Sequence, residues 1–196
     1  MTTTVAIPTR EALLDAASVQ LQSVGWTSFS FRDLAEQVGI RTASIHYHFP
    51  TKADLGVALV TWMRRQRDEK EQLLVAMYPA VPERFLALGQ LIQERTCIQD
   101  RSCPIYALQA EYQVLPAPVQ QAVKAWIDDC ITGLTRWLDE GRTAGSLRFP
   151  GEPRTQALLV WSVLQQGTQL HRTHTDISYQ TLVHQLVCNL TFQDTP

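Results

Sequence analysis

From Glu11 to Val24 the apolar residues Leu13, Leu14, Ala17, Leu21 and Val24 recur at steps of three and four, which sets them on one face of a helix. Thr9, preceded by Pro8, is placed to cap its start, and Gly25 to end it. Ser30-Phe-Arg-Asp33 has the form of a capping box with Asp in the usual Glu position, and predicts a short helix through Leu34, Ala35 and Val38, stopped by Gly39. A third helix runs from about Thr42 to Phe49 and ends before Pro50. Thr51-Lys-Ala-Asp54 repeats the capping-box form and opens a long helix past Trp62 into the charged run Arg64 to Glu71. Beyond Pro79 the pattern predicts helices near 81–99, 104–114, 117–141, 153–173 and 177–192, with Pro104, Pro118 and Pro153 in first turns. Gly141, Gly145 and Phe149-Pro-Gly151 mark the clearest loop. Alternating β-branched runs and internal repeats are missing, so the expected fold class is all-α.

Composition narrows this picture. A chain of 196 residues, 45% apolar and 18% charged, has the make-up of an ordered globular protein and room for a small domain joined to a larger one. The longest apolar stretches, Ala157 to Trp161 and Leu55 to Leu59, fall far short of a membrane span. The N-terminus lacks the basic start and long apolar core of a secretory signal, so the expected location is cytoplasmic, with no membrane partner. Net charge is −2, yet residues 1–70 hold eight Lys/Arg against seven Asp/Glu while residues 71–196 hold nine against twelve. That asymmetry leans toward an N-terminal contact with nucleic acid. Cys97, Cys103, Cys130 and Cys188 form no Cys-x-x-Cys pair, which argues against a disulfide scaffold or a zinc ribbon.

The segment from Phe31 to Leu55 carries the functional expectation. Two short helices meet at Gly39, with small Ala35 where they approach and Leu34, Val38, Ile40, Ile45 and Phe49 as buried sides. This is the layout of a helix-turn-helix, whose second helix enters the major groove. That second helix exposes short or polar residues: Thr42, Ala43, Ser44, His46, Tyr47 and His48. Short side chains at its start let the backbone approach base edges and phosphates. Trp26, Phe29 and Phe31 are read as core.

The same segment resembles the DNA-binding domain of the TetR family. The family's Leu-Ala, Gly-Val, small-residue turn, aromatic pair ending in Phe, Pro/Ser-x-Lys and Leu are matched by Leu34-Ala35, Gly39-Ile40, His48-Phe49, Pro50-Thr51-Lys52 and Leu55. One position departs: the family's recognition-helix tyrosine falls on His46, with Tyr47 beside it, so the phosphate contact is left to one or the other. The resemblance implies a helix-turn-helix domain over residues 1–56 and a helical effector-binding and dimerisation domain over 57–196. It implies a ligand-responsive repressor that binds a palindromic operator as a homodimer, needs no cofactor or metal and is not an enzyme. By this resemblance Lys52 pairs with a phosphate at the start of the fourth helix, aided by the helix dipole. Arg41 and Thr42 reach a base edge or backbone; an arginine bidentate to guanine is worth about 1–3 kcal/mol of discrimination. Arg32 is a further DNA contact, or a partner for Glu36 four residues on. Activator and repressor use the same contacts and are not separated.

For the C-terminal region the resemblance implies that the last two long helices build a four-helix bundle across a two-fold axis. Leu158, Leu159, Trp161, Leu164 and Leu170 give one of them an apolar face, and Leu182, Val183, Leu186, Val187 and Leu190 the other; the alternative is a monomeric core. Gly167 suggests a close backbone approach at that interface. Trp62, Phe85, Tyr106, Tyr112, Trp126, Trp137 and Trp161 either line an effector cavity or form ordinary core, and Glu111 and His171 are either polar anchors in it or structural groups. Cys103, before Pro104 and two residues from Arg101, sits where a helix dipole favours thiolate. It is an electrophile or redox sensor, as in the N-ethylmaleimide-responsive branch that the sequence resembles, or a packing residue. No phosphate-binding Gly-rich loop, metal-ligand cluster or nucleophile elbow points to an enzyme.

Overall fold

The computed structural model describes residues 10–96, 103–174 and 176–191. Among these lie nine α-helices and no strand: α1 (Arg10–Ser28), α2 (Phe31–Val38), α3 (Thr42–His48), α4 (Lys52–Met77), α5 (Val81–Arg95), α6 (Pro104–Ala110), α7 (Ala117–Thr143), α8 (Pro153–Thr173) and α9 (Tyr179–Thr191). The all-α class is as the periodicity predicts. The Thr9 cap, Cys97, Arg101 and Ser102 lie outside the described residues.

Two compact units result: residues 1–66 with 104–125, and residues 67–103 with 126–196. The expected functional division at residue 56 is not the division of compactness, because the segment that opens with α6 packs with the N-terminal helices. α6 runs along α1 and buries Ile105 and Leu108 in this first unit.

In the first unit Leu13, Leu14, Ala17 and Leu21 of α1 are buried with Leu34, Ile45, Phe49 and Leu55. Ser30 caps α2 by accepting from the Asp33 amide at 3.2 Å, and Gly39 closes it in the left-handed region at φ 74. Thr51 and Asp54 form a reciprocal box at the head of α4: Asp54 Oδ2 takes the Thr51 amide at 2.9 Å, and Thr51 Oγ1 takes the Asp54 amide at 3.1 Å. Gly25 corrects the expected end of the first helix. At φ 77 and ψ 177 it breaks α1, and one more helical turn, through Trp26 to Ser28, follows.

The second unit packs α5 against α8 and α9 around Phe85, Trp137, Leu138, Val160, Leu164, Tyr179 and Val183. Arg84 is only 4% exposed, and its guanidinium grips Glu140 at 2.6 and 2.7 Å while donating to the Tyr78 and Pro79 carbonyls. Burying a charge needs that full set of partners. The apolar positions of α8 are divided between two sides. Ala157, Val160, Leu164, Gly167 and Thr168 are the buried positions, whereas Leu158 and Leu159 are exposed. The close approach at Gly167 is to the chain's own Tyr179, whose ring carbons would lie 3.2 Å from an added Cβ.

Candidate nucleic-acid interface

α3 is short, and its two sides differ sharply. Ile45 and, just beyond the helix, Phe49 are buried, and they hold it to the first unit, where α2 and α3 pack together. Arg10 stacks its guanidinium over the Phe49 ring at 5.1 Å, tying α1 to the end of α3. The opposite side presents Arg41, Ala43, His46 and Tyr47 as exposed residues, with Thr42, Ser44 and His48 half-buried. Tyr47 is 85% exposed, far more than a tyrosine with a packing role. Its ring meets His48 edge-on at 5.2 Å.

The two candidates for the tyrosine position are placed differently. His46 turns back: Nδ1–H donates to the Pro50 carbonyl at 3.1 Å and the ring meets Phe31 edge-on at 4.9 Å. It thus braces the end of α3 against the turn into α4. Phe31, expected in the core, is half-buried and completes this brace. Arg32 is exposed, and among the described residues no ion pair joins it to Glu36.

Lys52 lies in the first turn of α4 and is half-buried. Its Nζ donates to the Trp26 carbonyl at 2.5 Å and lies over the rings of Trp26 and Phe29 at 4.7 and 5.5 Å. Burial lowers its pKa against the opposing pull of Glu111. The half-buried side chain thus reaches back to the turn after Gly25.

The residues expected around an effector are divided. Trp126 and Trp161 meet in the second unit, ring centroids 5.7 Å apart and edge to face. His171, in the same unit, bonds the Ile177 carbonyl at 2.8 Å and so secures the turn between α8 and α9. Trp62, Tyr106 and Glu111 belong to the first unit. The Glu111 carboxylate accepts from the Trp26 and Thr27 amides at 2.7 and 2.9 Å and from the Thr27 hydroxyl, so it is engaged in the turn after Gly25. Those bonds and Lys52 outweigh the upward push of desolvation and hold its pKa below the ordinary carboxylate value. Cys103 is half-buried just ahead of α6. Sequence reasoning missed the indole N–H groups of Trp126 and Trp137 and Gln165 Oε1, all buried with no hydrogen-bond partner. Gln165 stands one turn beyond Trp161 on α8, a spacing that could have drawn attention to it.

Taken together, a three-helix unit with a short outward helix whose far side is anchored by Ile45 and Phe49 makes this a helix-turn-helix protein. Residues 13–59 match the model of bacterial regulatory proteins, tetR family. A TetR-family transcriptional regulator from Agrobacterium tumefaciens is 28% identical, covering 92% of this chain and 96% of that one with a TM-score of 0.85. A TetR transcriptional regulator from Legionella pneumophila is 26% identical over 93% of this chain and 97% of that one, TM-score 0.85. Escherichia coli NemR in its reduced form shares the fold at 22% identity, covering 96% and 100%, TM-score 0.83. No curated protein sequence matches the chain. Residues 13–59 thus match the N-terminal domain of the tetR family, and the chain as a whole is similar in fold to TetR-family transcriptional regulators. No helix among the described residues is long and apolar enough to cross a membrane.

Proposed function

We propose that the chain is a repressor that binds a palindromic operator as a homodimer and releases it when an effector reaches its C-terminal helices. The observation that carries this is the split of α3 into an anchored side and an outward side bearing Arg41, Thr42, Ala43, Ser44, Tyr47 and His48. Tyr47 supplies the phosphate contact, since His46 is committed to Pro50. Arg41 precedes the helix and is exposed, suited to a guanine edge, and Arg32 joins the phosphate contacts. Lys52, in the first turn of α4, adds a further phosphate contact.

Residues 1–56 act as the DNA-binding domain and 57–196 as the effector and dimerisation domain. A two-fold partner covers Leu158 and Leu159, exposed on α8, together with the outward face of α9. Pairing sets two recognition helices for successive major grooves, about 34–36 Å apart. Trp126 and Trp161 with unpaired Gln165 Oε1 favour an effector having a flat apolar part and a hydrogen-bonding group. AibR, of the same fold at 16% identity and TM-score 0.73, was solved with isovaleryl coenzyme A and operator DNA, so one such fold holds both. A thiol-reactive effector at Cys103 is the second route to release; loss of operator binding on electrophile treatment should then vanish in Cys103→Ser. An effector acts only through its differential affinity for the DNA-competent and incompetent forms.

The test is a gel shift against the DNA flanking the coding region. Saturable binding at a palindrome that weakens steeply with salt is expected. Binding that is indifferent to sequence, or absent, refutes the proposal.

A further inference from the structure

Beside the Trp126–Trp161 pair of the second unit, two buried polar atoms of opposite sense go unmatched. Trp126 is 8% exposed, and its Nε1–H has no acceptor among the described residues. Gln165 Oε1, one turn beyond Trp161 on α8, has no donor among them. The two indoles meet edge to face with centroids 5.7 Å apart, so flat apolar surface lies next to one N–H and one carbonyl oxygen. Buried polar groups of a folded chain are nearly always hydrogen-bonded, and a donor and an acceptor left over at one aromatic pair suit a molecule that supplies both partners. Trp137 Nε1 is also unmatched, but it lies roughly three turns farther along α7, about 16 Å at the helical rise, against Phe85.

Charge near the pair is already balanced. Cys130 stands one turn from Trp126 on α7, and Arg67 of α4 reaches it, Nη1 donating to Sγ at 3.4 Å. Asp68 holds the same guanidinium, accepting from Nε at 3.0 Å and from Nη2. Glu71, one turn beyond Arg67, is paired with Arg136. Asp129, three residues from Trp126 on α7, keeps a carboxylate oxygen buried. An anion bound here would meet buried negative charge, and both of these guanidiniums are already committed to carboxylates. An ammonium brings donors only and leaves the Trp126 N–H unmet. An uncharged ligand meets both groups and adds no buried charge.

We propose that the effector is uncharged and planar, with an acceptor oxygen for Trp126 Nε1–H and a hydroxyl or amide N–H for Gln165 Oε1. This rests on the effector reading above and names the chemistry that its site selects. Such a site discriminates strongly, because an analogue lacking either group leaves a buried partner unpaired.

The experiment titrates the full chain without DNA, by calorimetry at neutral pH, with three probes built on one ring. They are para-hydroxybenzamide, para-hydroxybenzoate and para-hydroxybenzylamine: neutral, anionic and cationic. The amide should bind with Kd below about 1 mM, and each charged analogue at least about tenfold more weakly. Gln165→Met and Trp126→Phe should each weaken the amide at least about tenfold, whereas Trp137→Phe should bind it as wild type does. Without ligand, Gln165→Met should melt no lower than wild type, since a side chain of similar shape replaces an unmatched acceptor. An oxygen that served only the fold would cost stability when lost. No binding of the amide overturns the proposal, as does a charged analogue binding as tightly, or a lower melting temperature with binding intact in Gln165→Met. Gel shifts with the flanking-region duplex separate this from the reading it rests on. If the amide binds as expected and operator affinity stays the same, the effector role fails and the ligand class stands. If para-hydroxybenzoate alone binds and releases the duplex, the class fails and the effector role stands.

Discussion

Gly25→Ala isolates the turn on which the first unit depends. At φ 77 and ψ 177 the backbone lies where almost only glycine goes, and holding alanine there costs about 1–3 kcal/mol. The new Cβ would also run into Glu111 Oε1, so the carboxylate must withdraw from the Trp26 and Thr27 amides. Hydrogen bonds to a charged group are worth about 1.5–3 kcal/mol, and partial exposure of the site argues for the lower figure for the pair. The sum is about 4 kcal/mol. Gly39→Ala is the control: its φ is also positive, at 74, but nothing lies within 4 Å of an added Cβ, so only the left-handed cost of about 1–2 kcal/mol applies. At about 2–4 °C per kcal/mol for a chain of this length, Gly25→Ala should melt about 8–16 °C below wild type and Gly39→Ala about 2–8 °C below. Circular dichroism melts at one fixed protein concentration measure both. In a Glu111→Ala background the Gly25 substitution should cost only its backbone strain, about 2 kcal/mol. Equal losses at the two glycines, or an undiminished loss in that background, would refute the reasoning.

Tyr47→Ala should change stability by less than about 0.5 kcal/mol, because the ring is already in solvent, yet weaken duplex binding at least about tenfold; unchanged affinity in a gel shift removes the assigned contact. Arg84→Met should cost about 3 kcal/mol in urea unfolding, since the Tyr78 and Pro79 carbonyls and Glu140 lose their donor together; a loss under about 1 kcal/mol contradicts the buried role. Glu140 has its pKa lowered by the Arg84 hydrogen bond over opposing desolvation, with Arg84 and Arg136 charges adding to it. A depressed carboxylate contributes above the unfolded value of 4.5 and loses that contribution as pH falls through the folded value. Stability measured from neutral pH downward should therefore drop below about 4.5 more steeply in wild type than in Glu140→Gln, and parallel curves would dispose of the assignment. Burial pushes the Cys130 thiol up to about 12, even with Arg67 beside it. A maleimide at neutral pH should label exposed Cys188 before Cys130, as peptide mass spectrometry would show; the reverse order contradicts this.

What was legible in the sequence was local. The capping pairs Ser30–Asp33 and Thr51–Asp54 act within one turn, and both form. The split of α3 followed from spacing, because Ile45 and Phe49 stand four apart and Tyr47 falls between them. Periodicity could not tell which of two apolar sides of α8 would be buried: Leu158 and Leu164 look alike as a pattern, but only Leu164 faces the core. Lys52 and Glu111 were illegible for a different reason. Their partner is a peptide group far along the chain, and nothing near either residue announces it. The indoles of Trp126 and Trp137 were visible as aromatics, but that their N–H groups lack partners is a property of packing.

The most direct measurement is hydroxyl-radical footprinting of the full chain on the flanking-region DNA. If α3 enters the major groove from each half of a two-fold dimer, two protected patches should appear about one helical turn apart, centred on a palindrome, and both should fade in Arg41→Ala and Tyr47→Ala. A single unpaired patch, or protection that survives both substitutions, would contradict the account.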